Sequence, residues 1–316
     1  MTMTRRTLAR LLVPGMALAA LPGAASAAGK DVLIDDTKVF TESISADAAG
    51  NLYAGSTKGI VFRAPAGSDR AVAWIRPDAT NQIKQLLGVL AHDASNTLWV
   101  CSIPGFGPGS SGDSAAIAFD LTSGAFKARY VLPGPNATCN DIAVGHDGKV
   151  YIAETAGGRI FSIAPGAREV KLEVQDAALN GVDGIAFTAD NTLYVNNTRA
   201  NTFLRVNRDA SGNYQSLTTL NVSAPLKGPD GLRPYKDNKL LQAETGNNRI
   251  ALLTITGDDV AVTVLSDAFQ GPASVTHVGD TAYAVSGMIN YMFDPQLRDK
   301  DPGPFVMKAV PIGAAR

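Results

Sequence analysis

The chain has 316 residues, 45% of them apolar, with 28 Lys and Arg against 29 Asp and Glu. A net charge of −1 excludes a broad cationic surface for nucleic acid or anionic lipid, while the apolar fraction is enough for one large core. The 31 glycines and 17 prolines are spread along the chain, which suits many short strands joined by tight turns and argues against long helices.

In chain order, the first segment is read as an export signal. Arg5 and Arg6 precede an apolar stretch from Leu11 to Leu21, and Ala25-Ser26-Ala27 is the small-residue pattern that signal peptidases cut. Pro14 and Gly15 interrupt that stretch, which is too short to span a bilayer comfortably, so residues 1–27 are predicted to be removed. Thr4-Arg5-Arg6-Thr7-Leu8-Ala9-Arg10 resembles a twin-arginine signal. Residues 28–316 are then expected to form a single domain, periplasmic or secreted, with no membrane contact after signal cleavage.

One pattern recurs along that domain every 43 to 53 residues. Each copy has a short apolar strand, a turn rich in Asp, Asn or Gly, and a second strand carrying Leu-Tyr or a near equivalent. Glu42 to Asp47 leads to Leu52-Tyr53, Leu87 to Asp93 to Leu98-Trp99, and Asn140 to Val144 to Val150-Tyr151. Asp183 to Phe187 leads to Leu193-Tyr194 and Asp230-Gly231-Leu232 to Leu240-Leu241, while the weakest copy, Ala273-Ser274-Val275, leads to Ala282-Tyr283. Further alternating stretches, such as Thr202 to Val206 and Ser216 to Leu220, supply a third and fourth strand. A four-stranded sheet with two apolar faces needs neighbours on both, and radial packing provides them. The predicted fold is therefore all-β, a six-bladed β-propeller with four antiparallel strands per blade.

Equivalent positions in a propeller face one another around its channel. Here they are Glu42, Leu87, Asn140, Asp183, Asp230 and Ala273, which places three carboxylates and an amide around one point. Converging carboxylates repel unless protons or a cation compensate. An all-oxygen donor set of Glu42, Asn140, Asp183 and Asp230 favours Ca²⁺, or alternatively Mg²⁺ or another divalent cation. The mouth is also expected to be lined by the residues ending each second strand, so Ser102, Glu154, Asn196 and Glu244 join Leu87 and Ala273 as pocket candidates. Residues 104–113 are a candidate lid. Cys101 ends a strand at the same rim and Cys139 precedes Asn140 on the neighbouring blade, which makes them disulfide candidates. His277, in the last inner strand, is a minor candidate base.

Over residues 38–290 these features resemble the senescence-marker-protein/gluconolactonase family of six-bladed propellers. The resemblance implies that Glu42, Asn140, Asp183 and the Asp230 of Pro229-Asp230-Gly231 hold the metal. It also implies a lactone or ester hydrolase in which the ion polarises the carbonyl while Asp230 acts as base or nucleophile. Two departures stand out. Asp183 replaces the family's usual Asn, and Thr138 stands where sugar-lactone hydrolases tend to carry Arg, which counts against an aldonic lactone and makes Thr138 a pocket candidate. The expected partner is a small-molecule substrate and the expected state a monomer. The alternative is a non-catalytic exported ligand-binding propeller, a role that Ala115 to Leu121 followed by Thr122-Ser123-Gly124 shares with royal-jelly/yellow proteins. A bond-forming enzyme like strictosidine synthase fits less well, because the oxygen donor set is intact.

Overall fold

The computed structural model describes residues 29–106 and 110–313. The expected signal segment and three residues of the candidate lid lie outside the described residues. No described helix is long and apolar enough to cross a membrane.

The regular secondary structure of the described residues is almost entirely antiparallel sheet. Strands Gln85–His92, Thr97–Ile103, Ala115–Asp120 and Phe126–Val131 make one four-stranded sheet, in chain order. Cys139–Val144 to Lys171–Gln175 and Val182–Phe187 to Tyr214–Thr219 make two more. Pro229–Tyr235, Lys239–Glu244, Arg249–Thr256 and Asp259–Ser266 form a fourth, to whose edge Asn221–Val222 adds in parallel.

The remaining strands depart from the simple repeat. Thr41–Ala46, Leu52–Ser56, Val61–Ala64 and Arg70–Ile75 share an eight-stranded sheet with Val32–Ile34, Val306–Pro311, Thr281–Ser286 and Pro272–Val278. The link is Val32–Ile34, which pairs antiparallel with Val306–Pro311 and parallel with Arg70–Ile75. The sequence repeat gives no hint of this strand, since it belongs to no copy of the pattern.

The six first strands, beginning with Thr41–Ala46 and ending with Pro272–Val278, each lie against the next, and the last lies against the first. The apolar clusters sit between successive sheets, as in the packing of Tyr151 and Ile185 or of Tyr194 and Leu232. Glycines permit the close approach of the inner strands. A Cβ on Gly88 would lie 2.3 Å from the Asn140 carbonyl oxygen, and one on Gly184 would lie 2.5 Å from that of Asp230.

Each inner strand also breaks register with its partner near its start. The irregularities fall at 41/43, 86/89, 139/142, 182/185, 229/232 and 272/274. A bulge bends a strand and re-aims its side chains, and these six flank or include the positions that the repeat brings into equivalence.

Candidate functional site

Glu42, Asn140, Asp183 and Asp230 line one small cavity of about 10 Å³, together with Ser43, Gly88, Asp141, Gly231 and Ser274. Asp183 is buried, while Glu42, Asn140 and Asp230 keep partial exposure. Asn140 Nδ2 donates to Asp183 Oδ2 at 3.0 Å and to Thr155 Oγ1 at 2.8 Å. Thr245 Oγ1 donates to Asp230 Oδ2 at 2.8 Å and to the Pro272 carbonyl at 3.0 Å.

Desolvation, then repulsion from Asp183, pushes the Glu42 carboxyl up to about 8 from an ordinary 4.5. Desolvation followed by the charge of Asp230 raises Asp183, and desolvation followed by that of Glu42 raises Asp230. Among the described residues no ion pair includes any of the three. A folded Glu42 keeps a proton that the unfolded chain releases above about 4.5. The stability that Glu42 contributes to cation-free protein should therefore be fully present below that pH and be lost as pH rises through about 8. Thermal melts from pH 4 to 9 in chelator should show that decline, and added calcium should remove most of it.

No three acidic, histidine or cysteine side chains are gathered as a ready-made metal cage among the described residues. The donor chemistry nonetheless fits a hard divalent cation. Glu42, Asn140, Asp183 and Asp230 share one cavity, and among the described residues no ion pair offsets the repulsion of their three carboxylates, which a cation would relieve. Glu42, Asn140, Asp183 and Asp230 are the residues that would hold such an ion.

The other pocket candidates are distributed differently. Glu154 is fully buried and accepts from the Thr138, Ala156 and Gly157 amides and from Arg159 Nε at 2.7 Å. Glu244 repeats this role with the Lys227 amide, Asn247 and Arg249. Both carboxylates thus tie down rim loops. The threonine after each one touches the donor set, Thr155 at Asn140 and Thr245 at Asp230, a division of labour that the recurring Glu-Thr pair signalled. Thr245→Val should weaken divalent-cation binding about tenfold by calorimetry, as loss of a ligand-orienting partner commonly does, and Thr245→Ser should keep it.

Asn196 is buried and bridges strands, accepting from the Gly184 amide and donating to the Asp230 carbonyl at 2.6 Å. Ser102 is buried and its Oγ accepts from the Lys84 amide. Thr138 contributes its backbone amide to Glu154. Leu87 packs into an apolar cluster, and Gly88 takes its place at the cavity. Ala273 lines a second, larger cavity that also reaches Asp230. Cys101 and Cys139 are joined as a disulfide with Cα atoms 5.2 Å apart, one residue from Asn140. His277 lies toward the far end of its strand, paired with Ala282, and its ring meets Tyr235 edge-on.

Asp141 and Arg233 escaped the sequence reading. Arg233 Nη1 meets Asp141 Oδ2 at 2.7 Å, and both side chains are almost fully buried behind the acidic cluster. Arg233 Nη2 donates to Ser43 Oγ at 3.2 Å and to the Val89 carbonyl at 3.0 Å. One guanidinium thereby joins four inner strands. A lone Arg amid the apolar residues of Pro229–Tyr235 was the available signal.

The sequence profile of the SMP-30/gluconolactonase/LRE-like region matches residues 39–283. The chain belongs to this family. No curated protein matches its sequence. Among solved structures, it is similar to the calcium-binding protein regucalcin from Agrobacterium tumefaciens, with 17% identity and a TM-score of 0.60 over 90% of this chain and 97% of that one. It is similar to a luciferin-regenerating enzyme, with 15% identity and a TM-score of 0.63 over 88% and 93% of the two chains. It also resembles virginiamycin B lyase from Staphylococcus aureus, with 15% identity and a TM-score of 0.56 over 82% and 95%. At these identities the likeness establishes the propeller-like fold of the chain and nothing about its chemistry.

Proposed function

We propose that this family member is a divalent-cation-dependent hydrolase of lactones or related esters, working at the mouth of a six-bladed propeller. The closed succession of six inner strands supports the blade count, with the eight-stranded sheet taken as two blades bridged through Val32–Ile34. The observation that carries the function is the convergence of Glu42, Asn140, Asp183 and Asp230 in one cavity, with no cationic side chain among the described residues paired to their carboxylates. Calcium is the favoured ion because its coordination tolerates an irregular oxygen set.

A bound cation would polarise the substrate carbonyl and stabilise the developing oxyanion. Asp230 is the proposed base, with nucleophilic attack as the competing role. It lines both the acidic cavity and the larger one beside it, and Thr245 fixes its Oδ2. Asn140 is restrained by Thr155, so the donor set is oriented before substrate arrives. Export as a monomer, after removal of residues 1–27, completes the reading.

The test is hydrolysis of a lactone and aryl-ester panel by the mature chain, loaded with calcium or stripped by chelator. Turnover that requires the cation supports the hydrolase. Tight ligand binding without turnover would favour a binding propeller.

A further inference from the structure

We infer that the larger cavity beside Asp230 is built for an uncharged ester or lactone carrying an apolar chain, and not for a sugar acid or other anion. The inference rests on the hydrolase reading and adds a substrate class to it.

The cavity, about 420 Å³, lies between the inner strands Pro229–Tyr235 and Pro272–Val278 and has Asp230 in its lining. That volume falls within the range of small-molecule sites. Met288, Ile289 and the Tyr291 ring supply an apolar wall, and Thr245, Asn248, Gln270 and Asn290 are the neutral hydrogen-bonding groups of the lining. Apart from Asp230, no charged side chain lines it among the described residues.

Charge decides against an anion. Away from the cation that Asp230 would hold, a carboxylate or phosphate on the rest of the substrate would give up its hydration with no Lys or Arg in the lining, among the described residues, to receive it. Hydrogen bonding counts against a polyol along the apolar wall, where hydroxyls facing Met288 and Ile289 would be left unpaired. An alkyl chain meets neither cost and gains by leaving water.

The apolar wall comes from a segment outside the repeat. Between Thr281–Ser286 and Val306–Pro311 the chain makes a short helix, Asn290–Phe293. Phe293 is 52% exposed and meets Phe106 edge-on, with ring centroids 5.9 Å apart. Phe293 of this pair stands on the same short helix as Tyr291.

The experiment measures kcat/KM of calcium-loaded protein on δ-lactones with side chains from methyl to heptyl, beside glucono-δ-lactone and a carboxylate-bearing δ-lactone. The expected result is a rise of about threefold per methylene, chiefly through KM, with the sugar and carboxylate lactones poorest. Ile289→Asp should flatten the chain-length series. Gln270→Arg, a change at an exposed position, should improve the carboxylate-bearing lactone relative to the alkyl ones. A flat series in the unmodified protein, or preference for either polar lactone, overturns the substrate class and leaves the hydrolase standing. If nothing turns over, the hydrolase reading fails, and calorimetry with non-hydrolysable alkyl δ-lactams tests the cavity separately. Affinity that climbs with chain length and is lost in Ile289→Asp supports the class, while no binding at any length overturns it.

Discussion

Replacing Asp230 with Asn is expected to lower kcat/KM for lactone hydrolysis by about a thousandfold, within the usual span for loss of a general base. The change is nearly isosteric and keeps an oxygen available to Thr245 Oγ1, now 2.8 Å from Asp230 Oδ2. It removes the proton acceptor and one negative charge from a cavity lined by four carboxylates, those of Glu42, Asp141, Asp183 and Asp230. Cation affinity should be measured alongside activity, so that lost metal and lost base are told apart at saturating calcium. Single turnover in ¹⁸O-water then separates the two roles of Asp230. Label in the product acid after the first turnover identifies a base, and label retained on Asp230 identifies a nucleophile.

The second large effect is on stability. Arg233→Met should destabilise the fold by about 3–5 kcal/mol in equilibrium denaturation, because Asp141 is left as a buried charge without its partner. Ser43 Oγ and the Val89 carbonyl lose a donor at the same time. The intact pair is imperfect, since Arg233 Nε and Asp141 Oδ1 find no partner among the described residues. Coupling Asp141→Leu with Arg233→Met should therefore recover most of the loss, and failure to recover would mean that the guanidinium matters mainly as a strand tie.

The repeat made the donor set legible. Strands that recur with one phase must present equivalent residues to a common axis, so Glu42, Asn140, Asp183 and Asp230 could be grouped from spacing alone, and the structure brings them to one cavity. Single-residue placement was less accessible. Leu87 was chosen where Gly88 lines the cavity, because a register break between Leu86 and Val89 shifts the face by one residue. A glycine inside a strand was the cue to that break. Glu154 and Glu244 read as mouth carboxylates, yet Arg159 and Arg249, five residues on, sit directly across the strand pairs and engage them. The apolar cavity wall could not be foreseen, since Met288 to Tyr291 fall outside the period that organised the rest.

Val32–Ile34 makes the chain's first and last sheets one, yet its parallel register with Arg70–Ile75 has only two residue pairs, Leu33 with Arg70 and Ile34 with Ala71. That register and the equally short one with Val306–Pro311 are the thinnest in the eight-stranded sheet. Thr41–Ala46, which carries Glu42, and the Pro272–Val278 strand beside the apolar cavity belong to the two sheets joined there. Opening of that sheet would thus begin at this link, with amide exchange at Leu33 and Asp35 running ahead of the longer registers beside it. On warming, the proposed hydrolysis should fade while most of the β-structure is still intact.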